Sequence, residues 1–344
     1  MTLVLSPVRS LLTAVLALVV LPAALVALVA PPVHAADNGA WSVTPTPADV
    51  DNPAPRNYFV LEGDPGATLK DSLRVRNYTD KPITFTLYGA DAYNTRQGGF
   101  FALNNVDQPQ VDAGSWVRLP ITTLKVAPRT QADVPFTIKI PDNATPGDHV
   151  GGLVAMNARI EGTQDAGGVD VGVQRAVGAR MYLRVSGPTT PGLAVADVTL
   201  DTDRGVLPWS GSGKGTISYT VENTGNLRLS PTSVVELSGL GGQIDEVTDT
   251  SLGDLLPGQK ATMTARVEGV PWAGRLVTTV TATSPEGASA QESTTTWLVP
   301  WLGMLGIALL VALAAWYLLR RRSRIRRSLA KAESAPRIDV PALR

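Results

Sequence analysis

The 344-residue sequence contains no cysteine. It therefore has no disulfide, no thiol nucleophile, no thiolate metal site and no lipid attached through cysteine. Any exported domain must be held by core burial alone, so it cannot be miniature. Histidine is nearly as scarce. Of the two, His34 lies in an N-terminal apolar segment, which leaves His149 by itself. Histidine clusters for metal are excluded by number, and a serine–histidine–aspartate triad would need the fold to bring partners to this one imidazole. His149 sits in a Pro-Gly turn that opens a strand pattern and reads as an exposed turn residue. No glycine-rich phosphate loop opens a helix, because Gly211-Ser212-Gly213-Lys214-Gly215 leads into a strand. The sequence reads as non-enzymatic, without cofactor and without metal.

Long apolar runs are present at both ends. Trp297 to Leu319 has no charged residue, and six arginines follow it, Arg320, Arg321, Arg322, Arg324, Arg326 and Arg327. At about 1.5 Å per residue the run reaches roughly 34 Å, enough to cross a bilayer core of about 30 Å with tilt. Arginine-rich flanks stay on the cytoplasmic side, so the bulk of the chain is expected outside a cell membrane crossed once. The cluster is also placed to meet membrane lipid headgroups. Leu11 to Ala30 is the second run, and Val33-His34-Ala35 after it has small residues where a signal peptidase reads. Residues 1–35 are read as a signal peptide and 320–344 as a basic cytoplasmic tail.

A formal net charge of zero hides a partition. From Arg320 onward there are nine basic and two acidic residues; without that tail and Arg9, 20 basic face 28 acidic. An acidic ectodomain argues against nucleic acid as a partner.

The region between the runs reads as all-β. Leu73 and Val75 alternate with Arg74 and Arg76; Ile83, Phe85 and Leu87 with Thr84 and Thr86; Val134, Phe136, Ile138 and Ile140 with Pro135, Thr137 and Lys139. Ile217, Tyr219 and Val221 repeat the pattern, as do Ala261, Met263, Ala265 and Val267. Period-two alternation marks a sheet with one buried face. Short strands between Gly, Pro, Asn and Asp turns predict two tandem immunoglobulin-like β-sandwiches, residues 36–187 and 191–296, followed by one C-terminal transmembrane helix, 297–319. Their boundary is the stretch Ser186-Gly187-Pro188-Thr189-Thr190-Pro191-Gly192.

The halves look like a duplication. Val75-Arg76-Asn77 matches Val221-Glu222-Asn223, and Pro146-Gly147-Asp148-His149-Val150 matches Trp272-Ala273-Gly274-Arg275-Leu276. The first half carries about nineteen extra residues between these marks, assigned to Asn94–Gly114, and connections this long are often functional. The insert is expected either to build a ligand surface or to form an extra hairpin. Candidate ligand residues are Tyr88, Tyr93, Asn94, Arg96 and Trp116, since sugar rings stack on aromatic faces. Trp209 and Trp272 read as packing residues. Asp197, Asp201 and Asp203 lack the spacing and closing glutamate of a calcium loop and read as solvated carboxylates.

Several segments together resemble a known family. Pro65-Gly66 stands ahead of the strand Leu69 to Asn77. Ile83 to Tyr93 contains Gly89-Ala90-Asp91-Ala92, with Gly98-Gly99 after it. Pro146-Gly147-Asp148-His149-Val150-Gly151-Gly152-Leu153 closes the set. These resemble the DUF916, or WxL-interacting, proteins of Gram-positive bacteria over residues 41–185, in an actinobacterial-type composition. The resemblance implies a signal peptide, two immunoglobulin-like domains, one span and a basic tail. It further implies a first domain that binds peptidoglycan or a related cell-wall glycan, and a second that contacts a surface protein partner. Two other classes fit the same architecture: an assembly chaperone or adhesin scaffold acting by edge-strand pairing, and an accessory module of a cell-wall hydrolase.

Overall fold

A computed structural model describes residues 38–47, 56–160, 162–165, 170–203, 205, 211–249 and 252–333. The expected signal peptide, Trp209 and the last residues of the tail lie outside the described residues.

Among the described residues the chain is mostly strand, with one long helix at its C-terminal end. The first half contains β1 (Trp41–Pro45), β2 (Phe59–Gly63), β3 (Thr68–Asn77), β4 (Ile83–Asn94), β5 (Phe101–Leu103), a one-turn helix α1 (Ala113–Trp116), β6 (Val117–Arg118), β7 (Thr123–Val126), β8 (Gln131–Lys139), β9 (Gly147–Asn157), β10 (Gly162–Asp165), β11 (Asp170–Val173) and β12 (Ala176–Val185). One sheet runs β1-β3-β8-β6, and the other β2-β12-β9-β4-β5 with β7 also paired to β4. The second half contains β13 (Leu193–Asp203), β14 (Gly213–Asn223), β15 (Thr232–Gly239), β16 (Gly242–Asp249), β17 (Lys260–Val270), β18 (Gly274–Thr283) and β19 (Ser289–Leu298). Its sheets run β13-β14-β17 and β16-β15-β18-β19.

The alternating residues face inward as their period requires. Leu73, Val75, Phe85, Leu87, Val134, Phe136 and Ile138 are all buried in one core, and Ile217, Tyr219, Val221, Ala261, Met263 and Val267 in a second. In the first, Trp41 packs on Phe85 at 5.4 Å between ring centroids, and Phe59 meets Phe136 edge-on at 5.2 Å. With no disulfide available, these side chains carry the stability, each contributing about 1.5–3 kcal/mol against the entropy of ordering the chain.

The duplication seen in the sequence reappears as geometry. Asn77 and Asn223 are both fully buried at strand ends. Asn77 donates to the carbonyls of Lys81 at 2.8 Å and Ala127 at 3.1 Å and accepts from the Thr79 N–H. Asn223 donates to Leu227 at 2.7 Å and Leu255 at 2.9 Å and accepts from the Gly225 N–H. Each side chain thus closes its own turn, through residues two and four positions on, and ties it to a neighbouring loop. Gly147 and Gly274, the other matched pair, open β9 and β18 with positive φ values of 121° and 137°. Buried as it is, Asn77 is no surface glycosylation acceptor, although Asn77-Tyr78-Thr79 has the sequon pattern.

The C-terminal helix α2 (Trp301–Glu333) corrects one boundary. Trp297 and Leu298, expected to start the span, belong to β19, where they pair with Arg275 and Gly274. Hydropathy does not separate the apolar end of a strand from the helix after it, whereas pairing and Pro300 do. Trp301 to Leu319 still covers about 28 Å. Within Trp301–Arg326 an 18-residue window reaches a mean hydropathy of 2.3, so this helix is long and apolar enough to cross a membrane, and α2 continues through the arginines without a break.

Replacing either buried asparagine by alanine strands carbonyl and N–H groups in the interior. Asn77→Ala and Asn223→Ala are each expected to lower stability by about 2–3 kcal/mol, read as a drop in the urea unfolding midpoint with unchanged slope.

Candidate functional site

The extra segment of the first half begins as a hairpin and ends as a latch. β4 and β5 pair from Ala92 opposite Leu103 to Asn94 opposite Phe101. Where the segment returns to the sandwich, the Asp91 carboxylate accepts the N–H groups of Val111 at 2.5 Å, Asp112 at 3.0 Å and Gly114 at 2.7 Å. This folds the chain into α1, whose Ala113 and Trp116 enter the first core.

His149 closes the latch. Its Nδ1 lies 2.6 Å from the Asp112 carboxylate and its Nε2 lies 2.8 Å from the Thr145 carbonyl oxygen. The ring packs on Trp116 at 4.7 Å between centroids. An ionised carboxylate and a carbonyl only accept, so both contacts are hydrogen bonds only when the imidazole carries two protons. Burial pulls the histidine pKa down. The bonds to Asp112 and Thr145, with the charges of Asp112 and Asp148, outweigh burial and hold it above its ordinary 6.5. The order carboxylate–imidazole–hydroxyl (Asp112, His149, Thr145) resembles a hydrolytic relay. However, Nε2 is occupied by the Thr145 carbonyl, and the hydroxyl stands back at 3.5 Å. The arrangement joins the insert to β9.

Beside the latch runs a seam between the two halves. Asn226, in the turn after Asn223, uses every polar group it has. Its N–H donates to Thr190 and its carbonyl accepts from Asp148 at 2.8 Å. Its side chain accepts from Thr190 at 2.7 Å and donates to the carbonyls of Pro146 at 2.8 Å and Pro188 at 3.0 Å. A methyl group at Gly147 would overlap the Asn226 carbonyl, so glycine is required there by contact as well as by φ. Asp148 binds the Arg184 guanidinium through both oxygens and also accepts the Arg228 N–H at 2.8 Å. Arg228 in turn stacks on Tyr182 at 4.2 Å and pairs with Asp254 at 3.1 Å, which also receives the Tyr182 hydroxyl.

The hairpin tip extends this seam. Asn94 donates to Gly99 at 2.8 Å and across the seam to the Asp254 carbonyl at 2.7 Å, and it accepts from the Leu256 N–H at 2.9 Å. The Thr262 N–H donates to the Arg96 carbonyl at 2.6 Å, and the Gly98 N–H to the Thr262 carbonyl at 3.0 Å. Gly99, at φ 61°, sits so close to Leu252 and Ala261 that no side chain fits.

The five candidate ligand residues therefore do not form one surface. Asn94 and Arg96 lie at the seam, Asn94 buried. Trp116 is 7% exposed and belongs to the core, because Asp91 draws the insert's end inward. Tyr88 is half-buried on β4, opposite Val154, and burial followed by the nearby Asp107 charge raises its hydroxyl pKa. Tyr93, opposite Ala102, is the exposed aromatic of the set. His149 differs from the exposed turn residue expected: its side chain is 13% exposed and doubly bonded. Sequence reasoning missed Asp112, Asp148, Asn226 and Asp254, whose partners lie far along the chain. The positive φ demanded by the Gly147 turn was the one local signal.

The first half carries open grooves, two of which bear on function. One, of about 840 Å³, is lined by Asp80, Lys81, Thr84, Arg159, Ile160 and Arg175, with Trp41 beneath. Arg175 stacks on Trp41 at 5.6 Å, and Asp80 is paired with Arg129 at 2.9 Å, so the lining is cationic on balance. The other, of about 400 Å³, is lined by Arg118, Leu119, Pro120, Pro135 and Phe136. Among the described residues no group of three or more His, Asp or Glu is placed to hold a metal ion.

Residues 41–157, about a third of the chain, match the family model described as WxL Interacting Protein, peptidoglycan binding domain. The resemblance read from Pro65-Gly66 and Pro146–Leu153 is borne out over that stretch. No curated protein matches the chain. Among solved structures, a chaperone–tip adhesin complex of CFA/I fimbriae is similar at 9% identity, covering 76% of this chain and 99% of that one with a TM-score of 0.34. The Pseudomonas aeruginosa CupB2 chaperone is similar at 12% identity, covering 70% and 97%, with a TM-score of 0.31. The SafA pilin–SafB chaperone complex of Salmonella enterica is similar at 11% identity, covering 76% and 99%, also with a TM-score of 0.31. Scores this low carry no argument about function.

A raised folded-state pKa means that the contribution of His149 is fully present below about pH 6.5 and is lost as pH rises through the folded value. The stability gap between the wild type and His149→Gln, measured by urea unfolding, is expected to narrow as pH goes from about 6 to about 9. Asn226→Ala removes three side-chain bonds at the seam. It is expected to cost about 1–3 kcal/mol and to split a single calorimetric transition into two.

Proposed function

We propose that this chain is a non-enzymatic, membrane-anchored cell-surface protein whose first half binds peptidoglycan and whose second contacts a protein partner. The family match of residues 41–157 carries this reading. Anchoring is supported by α2: Trp301 stands at one end of its apolar stretch, and Trp316 at the other, where Arg320 stacks on it at 4.9 Å. Aromatic residues favour the two membrane interfaces, and arginines favour the cytoplasmic side.

The wall ligand is assigned to the groove of about 840 Å³. Peptidoglycan presents free carboxylates on its stem peptides. Lys81, Arg159 and Arg175 supply complementary charge on an otherwise acidic ectodomain. Tyr93, exposed on β4, is the alternative stacking residue, and Tyr88, half-buried five residues earlier on the same strand, is a second.

The edge-strand reading has its own observation. β8 pairs with β6 only at Thr137 and Ile138, so among the described residues no strand covers its edge from Gln131 to Phe136. The apolar groove of about 400 Å³ lies beside that edge.

Sedimentation with purified sacculi separates these readings. A soluble fragment, residues 38–298, should pellet with sacculi and release no soluble muropeptides. Each charge-assisted contact is worth about 1.5–3 kcal/mol, so Lys81→Glu with Arg159→Glu should weaken binding at least about tenfold. Loss on Tyr88→Ala with Tyr93→Ala instead would move the site to β4. A fragment that ignores sacculi but captures one surface protein would favour edge pairing.

A further inference from the structure

The end of the second half nearest α2 carries an exposed apolar tip. β15 and β16 meet at a tip, Gly239-Leu240-Gly241-Gly242, in which Gly239 pairs with Gly242. Register fixes where that tip points. Ser238 lies opposite Val277, Val277 opposite Thr295, and two residues further along β18 and β19 Arg275 lies opposite Trp297. The tip therefore projects from the end of the sheet where β19 runs out, level with Trp297. Only Val299 and Pro300 separate β19 from α2.

Leu240 at the tip is 89% exposed, and no heavy atom comes within 4 Å of a side chain built at Gly241 or Gly242. A lone exposed leucine needs no explanation. Its surroundings give this one meaning. Trp297 is 70% exposed at the same level, and Trp301 is exposed at the start of α2. The loop joining β17 to β18 reaches the same end, with the Trp272 ring 3.6 Å from a methyl placed on Gly303 of α2. Three of the seven tryptophans thus gather where the strand becomes the helix.

We infer that Leu240, with Trp272 and Trp297, docks the second half directly on the outer leaflet, in the layer between headgroups and acyl chains. This rests on the reading of α2 as a membrane span. The headgroup layer adds about 5–7 Å on each side of the hydrocarbon core, and a two-residue connection leaves no room for a free stalk. Leucine and tryptophan are residues that interfacial segments insert. Charge at this end is mixed: Arg275 lies beside Trp297 in the sheet, and Lys214 pairs with Glu268 at 3.2 Å. The contact is therefore apolar and does not require anionic lipid. Docking at this end, together with the seam, would hold the cationic groove of the first half at a set orientation to the membrane.

A chain without cysteine allows single-site labelling. The full-length protein is placed in phosphatidylcholine vesicles with nitrobenzoxadiazole at Gly241→Cys beside the tip, at Ser289→Cys at the opposite end of the same sheet, or at Leu310→Cys within α2. The label at 241 should be blue-shifted and quenched by brominated acyl chains several-fold more than that at 289. Leu240→Asp should abolish that difference while leaving position 310 unchanged. If 241 behaves like 289 while 310 is quenched, the docking is wrong and the span stands. If 310 is unquenched, the span reading fails and the docking with it.

Discussion

Two sandwiches joined by a seven-residue connection would ordinarily swing, because small polar interfaces between domains permit motion. Here the constraint on which the rest depends is the seam at Asn226. That residue binds the connection at Thr190 and Pro188 and the first half at Pro146 and Asp148, all through backbone groups on the far side except its own amide. Backbone partners are already held by their sheets, so each bond loses little side-chain entropy when it forms. The close approach also requires glycine at 147 and 99, where any Cβ would push the halves apart.

The insert of the first half belongs to this constraint. Its start, Asn94 to Gly99, crosses to Leu256 and Thr262 of the second half; its end, Val111 to Trp116, is drawn down by Asp91 and latched by His149. The segment Pro146-Gly147-Asp148-His149 meets both, with Pro146 and Gly147 on Asn226, Asp148 on Arg184 and Arg228, and His149 on Asp112. Four consecutive residues thereby couple β9, the insert and the second half. The open grooves lie elsewhere on the first half, at the Asp80–Lys81 turn and beside β8.

Function on a cell surface is consistent with such a build. A flexible joint would leave the angle of the groove to chance, whereas the seam passes the orientation of one sandwich to the other.

The sequence by itself determined the elements that depend on local period. Alternation at Leu73–Val75, Val134–Ile140 and Ile217–Val221 specified which face of each strand is buried, because side chains alternate sides at every residue. The repeated Asn77 and Asn223 were legible because each closes a turn with residues two and four positions on. The long apolar run identified α2, though its first residues were claimed by pairing with β18. Only the tertiary structure decided the rest. Asp112 meets His149 from 37 residues away, Asn94 meets Leu256 from 162, and Asp148 meets Arg228 from 80. Such partners share no periodic signal. They become neighbours only when two independently patterned sheets are brought to one edge, so the seam, the latch and the burial of Trp116 follow from packing geometry.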